Sequence, residues 1–83
     1  MADITGDGYG GPGVKWYNVT PNDSTDLPTR PRALYVGVTG NVAIMDIGGT
    51  TVTFVAMAVG YHPLRPVRVM STGTTATNIV AIY

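Results

Sequence analysis

From Arg32 onward the chain is punctuated like a β-protein, and that punctuation leaves little room for another fold. Five short runs, 34–38, 42–47, 51–57, 67–71 and 77–83, are rich in Val, Ile, Thr, Tyr or Phe. These β-branched and aromatic residues suit a pleated, half-buried surface. Turn formers stand between them. Gly48-Gly49 supplies two residues able to take the positive φ that a tight hairpin demands. Thr39-Gly40-Asn41 fits a three-residue hairpin loop, and Thr72-Gly73-Thr74-Thr75 is expected to close the last strand pair. Residues 60–66 read as a longer connection stiffened by Pro63 and Pro66. No window repeats apolar residues at a helical period. Strands spaced roughly ten residues apart predict an all-β fold, a small antiparallel β-sandwich or barrel over residues 32–83.

Residues 1–31 have a different character. Gly6, Gly8, Gly10, Gly11 and Gly13 alternate with Pro12, Pro21, Pro28 and Pro31, and large apolar side chains are sparse. Proline lacks the ladder donor and glycine loses extra entropy, so an extended Gly/Pro-rich N-terminal arm with at most one short strand is expected. Lys15 to Thr20 is the candidate strand. Trp16, Tyr17 and Leu27 are the expected anchors of this arm on a partner.

Alternation sorts the strand residues into two faces. Leu34, Val36, Val38, Val42, Ile44, Val52, Phe54, Val67, Val69, Ile79 and Ala81 read as the core. The opposite face carries Met45, Ile47, Val55, Met57, Met70, Val80 and Ile82, where a solitary sandwich normally turns polar groups to water. Arg68, facing away from Val67 and Val69, joins this second face as a group available to a partner. Either the arm folds across this face or another subunit covers it, and the eight residues are expected to form an oligomer interface.

Composition supports that expectation. At 83 residues the chain is one small domain with modest intrinsic stability, and it has no cysteine to supply disulfides or thiolate metal ligands. Small domains usually compensate by disulfides, metal or oligomerisation, and the third route is the one left open. Charged residues make up 12% of the chain, against roughly 25% in an average soluble protein. So lightly charged a surface is expected to be covered in part by neighbours.

The same features bear on function. A formal net charge of zero gives no broad basic field for nucleic acid or an anionic membrane. The longest apolar stretch, 52–59, is too short to cross a bilayer. The N-terminal residues lack both a basic leader and an apolar core, so a cytosolic origin is expected. His62 has no recognisable nucleophile or orienting partner, so no enzymatic activity is expected. Asp3 and Asp7 with Gly6 and Gly8 lack the ligand spacing of a calcium loop, and no cofactor or metal is expected. The glycines of residues 6–13 neither follow a strand nor precede a helix, as a nucleotide-binding loop requires.

The order Arg32-Ala33-Leu34-Tyr35-Val36-Gly37-Val38-Thr39-Gly40-Asn41-Val42, then Gly48-Gly49-Thr50-Thr51-Val52-Thr53-Phe54, then Leu64-Arg65-Pro66-Val67-Arg68-Val69, then residues 72–83, resembles the small head-spike base proteins of tailed phages and phage-like gene transfer agents. The resemblance covers about residues 29–83. It implies a structural virion protein on the capsid exterior at a vertex, a pentamer, and contacts with the major capsid protein and with a longer spike or fibre. The chain has no separate receptor-binding domain, so direct host recognition is not expected. A capsid decoration or cement protein is the alternative within the same class. From another class come a single-stranded nucleic-acid binder, using Arg30, Arg32, Arg65 and Arg68 with Tyr35, Tyr61 and Trp16 for stacking, and a carbohydrate binder, using Trp16, Tyr35 and Tyr61. The weak basic signal counts against nucleic acid.

Overall fold

The computed structural model describes residues 13–83, which contain no helix and form two antiparallel sheets. The strands are β1 (Trp16–Asn18), β2 (Ala33–Val38), β3 (Gly40–Met45), β4 (Thr51–Met57), β5 (Gly60–His62), β6 (Arg68–Val69) and β7 (Thr77–Ile82). One sheet has the order β1-β7-β2-β5 and the other β4-β3-β6. The fold is a small β-sandwich. The glycine-rich run before Gly13, with Asp3 and Asp7, lies outside the described residues.

Period-two alternation builds the core. Leu34 and Val36 on β2, Ile79 and Ala81 on β7, Val42 and Ile44 on β3, and Val69 on β6 meet between the sheets and are buried. Full burial of such a side chain is worth about 1.5–3 kcal/mol. Tyr17, Val19, Leu27 and Leu64 pack around this cluster half-buried.

Three connections differ from expectation. The 60–66 link, read as a connection, begins with a strand of its own, β5, which pairs antiparallel with β2. The segment at Thr39 is a corner between sheets, since β2 and β3 belong to different sheets. Gly40 makes the corner possible: a Cβ there would sit 2.5 Å from the amide nitrogen of Ala76 and 2.7 Å from its Cα. Likewise β6 and β7 do not pair. The 70–76 segment crosses between the sheets along β3, where Met70 donates to the Ala43 carbonyl and Thr75 and Ala76 both donate to that of Asn41. The Gly48-Gly49 hairpin forms as expected. Gly49 takes a φ of 89°, and the Asp46 carboxylate accepts from the amides of Gly48 and Thr50.

The β3–β4 ladder contains a bulge. Gly40 is opposite Met57 and Val42 opposite Phe54, so β4 carries an extra residue across that interval. Ala56 absorbs it with a φ of 54°, and its amide donates to the Asn41 side chain at 3.0 Å. An extra residue reverses the parity of alternation. Met57 is thereby turned into the core, where it is 7% exposed. Its assignment to an oligomer interface is corrected accordingly.

Candidate assembly surface

The two sides of the sandwich are finished differently. On the β1/β6 side the arm seals it. β1 pairs with β7, Val19 donates to the Ile79 carbonyl, and Asn22 and Leu27 donate to the carbonyls of Val69 and Val67. Side chains then lock the seal. The Asp23 carboxylate accepts from the Thr72 amide at 2.9 Å and from its hydroxyl at 2.5 Å. Those bonds, the hydroxyl's first, favour the ionised form and hold the Asp23 carboxyl below the usual range. Arg68 donates to Asp26 and to the Asp23 carbonyl.

These contacts redistribute the expected partner-binding residues. Arg68 is engaged with its own arm, so its assignment as a group free for a partner is corrected. Tyr17 and Leu27 are also committed within the chain. The Tyr17 hydroxyl donates to the Thr29 carbonyl at 2.6 Å, and its ring meets Tyr83 edge-on at 5.7 Å between centroids. Burial raises the Tyr17 pKa, the bond to Thr29 opposing it only in part. Of the three arm anchors, Trp16 is left to the outside, 69% exposed.

The other side is open. β4 is hydrogen-bonded to β3 along one edge and ends its sheet at the other. Val42 faces Phe54 across the ladder and Ile44 faces Val52, so all four point inward. Yet Val52 and Phe54 are exposed, because no strand of the opposite sheet packs closely on β4. Val38, also expected in the core, is exposed at the end of β2, and Val67 is half-buried. Between β4 and the crossover 64–66 lies a groove of about 230 Å³, with Val52, Phe54, Leu64 and Pro66 in its wall and Asp46 and Arg65 among its polar lining.

The remaining interface residues fall in three places. Ile47 and Val55 are strongly exposed, on the hairpin turn and on β4. Met45, half-buried, lines the groove, and Met70 is half-buried beyond β6. Val80 and Ile82 lie half-buried on the outer face of the four-stranded sheet, where the Gly13 backbone packs against Ile82. Register puts Trp16 with Ile82 and Ala33 on that same face, and Tyr35 with Val80 and Tyr61. Strand register brings these aromatics together, although they are far apart in sequence.

Among the described residues no group of three or more His, Asp or Glu gathers in a way that could hold a metal ion. The His62 ring bonds through Nε2 to the Ala58 carbonyl at 2.6 Å, tying the β4–β5 link to β5. Arg30 is spent on the Arg65 carbonyl.

No family model matches the chain, and no curated protein matches it. A solved structure does. A chain in the capsid of a native gene transfer agent (GTA) particle, computed with C5 symmetry, is 50% identical, with a TM-score of 0.80 over 87% of this chain and 84% of that one. The chain therefore belongs to the same family as this gene transfer agent capsid protein, and it is a capsid-associated structural protein.

Proposed function

We propose that the protein is the base of a head spike, a ring of five copies seated on the major capsid protein at a capsid vertex and carrying a spike or fibre. The observation that carries this reading is the unsealed β4 side. A small domain that closes one side with its own arm leaves Ile47, Val52, Phe54 and Val55 exposed at the other. Such groups are ordinarily covered by a neighbour. The related chain comes from a capsid computed with C5 symmetry, a particle symmetry with which a ring of five at a vertex is compatible.

Native mass of the purified chain tests the reading, together with its rebinding to particles that lack it. Five copies, and attachment in numbers matching the vertices, are the expected results. Trimers, or attachment across the whole shell, would instead identify a cement protein.

One observation favours a second reading. Trp16, Tyr35 and Tyr61 share the outer face of one sheet, and aromatic faces of this kind can stack on sugar rings. That reading requires Tyr61→Ala to abolish binding to an immobilised polysaccharide without altering the oligomer mass.

A further inference from the structure

We propose that the ring closes head to tail, with Trp16 of one copy seated in the groove between β4 and the 64–66 crossover of the next. This contact rests on the ring reading above and names the surfaces that make it. A fivefold ring cannot be assembled from one self-complementary patch. Each copy must offer two different surfaces, one to each neighbour.

The two sides of this molecule differ in that way. β1 and β5 are opposite ends of the four-stranded sheet, and β4 runs into β5 through two residues, 58–59. The Trp16 strand and the groove therefore lie toward opposite sides of the sandwich. Trp16 carries the largest side chain among the exposed apolar residues. Tyr61 sits on β5, beside the groove, and Tyr35 lies mid-sheet on β2, so neither can reach around the ring as Trp16 can.

The groove has the chemistry to take an indole. Its volume of about 230 Å³ falls below the roughly 300 Å³ at which small-molecule pockets begin, but accommodates one large side chain. Val52, Leu64 and Pro66 provide apolar wall, and Phe54 offers a ring for an edge or offset contact. Arg65 lines the groove, and a guanidinium there can lie against the indole face, where a cation is attracted by the ring quadrupole. Charge is complementary as well. Lys15, the chain's sole lysine, adjoins Trp16, while Asp46 is held in the groove lining by the amides of Gly48 and Thr50.

Trp16 is the sole tryptophan, so its fluorescence reports the contact directly. Emission of the wild-type chain should shift to the blue as rising concentration carries it from monomer to ring. Trp16→Ala and Val52→Asp should each stay monomeric, with Arg65→Glu as a second groove variant at an exposed position should Val52→Asp fail to fold. Mixed together, Trp16→Ala and the groove variant should form a one-to-one dimer and stop, because each supplies one half of the contact. The tryptophan of the groove variant should shift to the blue in that mixture. If Trp16→Ala forms rings of wild-type mass, or if the mixture yields no dimer while the wild type assembles, the contact is refuted and the ring stands. A wild-type chain that stays monomeric with exposed tryptophan at the highest soluble concentration would overturn both.

Discussion

Replacing Gly40 by alanine should destabilise the sandwich far more than adding one methyl group suggests. The new Cβ would lie 2.5 Å from the Ala76 nitrogen, 2.7 Å from its Cα and 2.9 Å from the Thr75 carbonyl carbon. All three atoms are backbone, so no rotamer change relieves the overlap. Thr75 and Ala76 must retreat, and both donate to the Asn41 carbonyl, at 2.8 and 3.1 Å. Overpacking costs about 1–3 kcal/mol, and weakening hydrogen bonds worth roughly 0.5–1.5 kcal/mol each adds to it. A total of about 2–4 kcal/mol follows. In a domain of this size each kcal/mol moves Tm by roughly 4–8 °C, so melting should fall by at least about 8 °C. The assay is thermal unfolding by circular dichroism at one protein concentration below assembly, since oligomerisation raises apparent stability. Gly49→Ala is the control. Its φ of 89° imposes strain, but nothing lies within 4 Å of the added atom, so its loss should stay near 1–2 kcal/mol. If Gly40→Ala melts within about 2 °C of wild type, the corner is not closed by backbone contact and the reasoning fails.

Two further outcomes follow from named contacts. The Asp23 carboxyl, held low by the Thr72 hydroxyl and amide, supports folding above its unfolded pKa and loses that support as pH falls through its depressed folded value. Asp23→Asn should therefore flatten the acid limb of the stability curve below about pH 4, and an unchanged limb would rule out this contribution. Ala56→Gly should leave stability unchanged or raise it by up to about 1 kcal/mol, because relief of the left-handed strain at φ 54° outweighs the added unfolded-state entropy. A clear drop in the urea midpoint would show that the Ala56 methyl packs more than it strains.

Local chemistry made the strands readable, while their partners depended on distant contacts. β2, β3, β4 and β7 carry the β-branched runs and the alternation that marked them, and the Gly48-Gly49 turn carries its own mechanism. The corner at Gly40 resembles a hairpin in sequence, since Thr-Gly-Asn suits either. What decides is the Ala76 backbone, 36 residues further on, against which only glycine fits. Met57 was misplaced for a related reason. Strict alternation holds until an extra residue enters, and nothing in Phe54-Val55-Ala56-Met57 announces that Ala56 will adopt positive φ. The arm shows the same limit from the other direction. Asp23 and Asp26 lie in a Pro-bounded stretch with no strand pattern, yet they are joined to Thr72 and Arg68, more than forty positions away.

The exposure of β4 bears on assembly through what the strand omits. Soluble proteins guard an edge strand with lysine, proline, inward charge or a bulge, because unpaired amides and carbonyls recruit any other edge. The seven residues of β4 contain no charge and no proline. The bulge at Ala56 is therefore the strand's own safeguard, and it lies at the β5 end, where it interrupts the straight ladder. Thr51 to Phe54 remains in regular register, neutral and open. An edge so arranged admits a partner over a short span and resists a long register with an identical edge. That bias disfavours symmetric edge-to-edge pairing, which would yield twofold dimers or fibres, and favours a neighbour presenting a different surface. The Asp46 and Arg65 side chains in the adjoining groove sharpen the selection by rewarding a partner of matching charge. Low charge and an open edge would be a hazard in a freely diffusing monomer, but they are consistent with a subunit that is rarely without its neighbours.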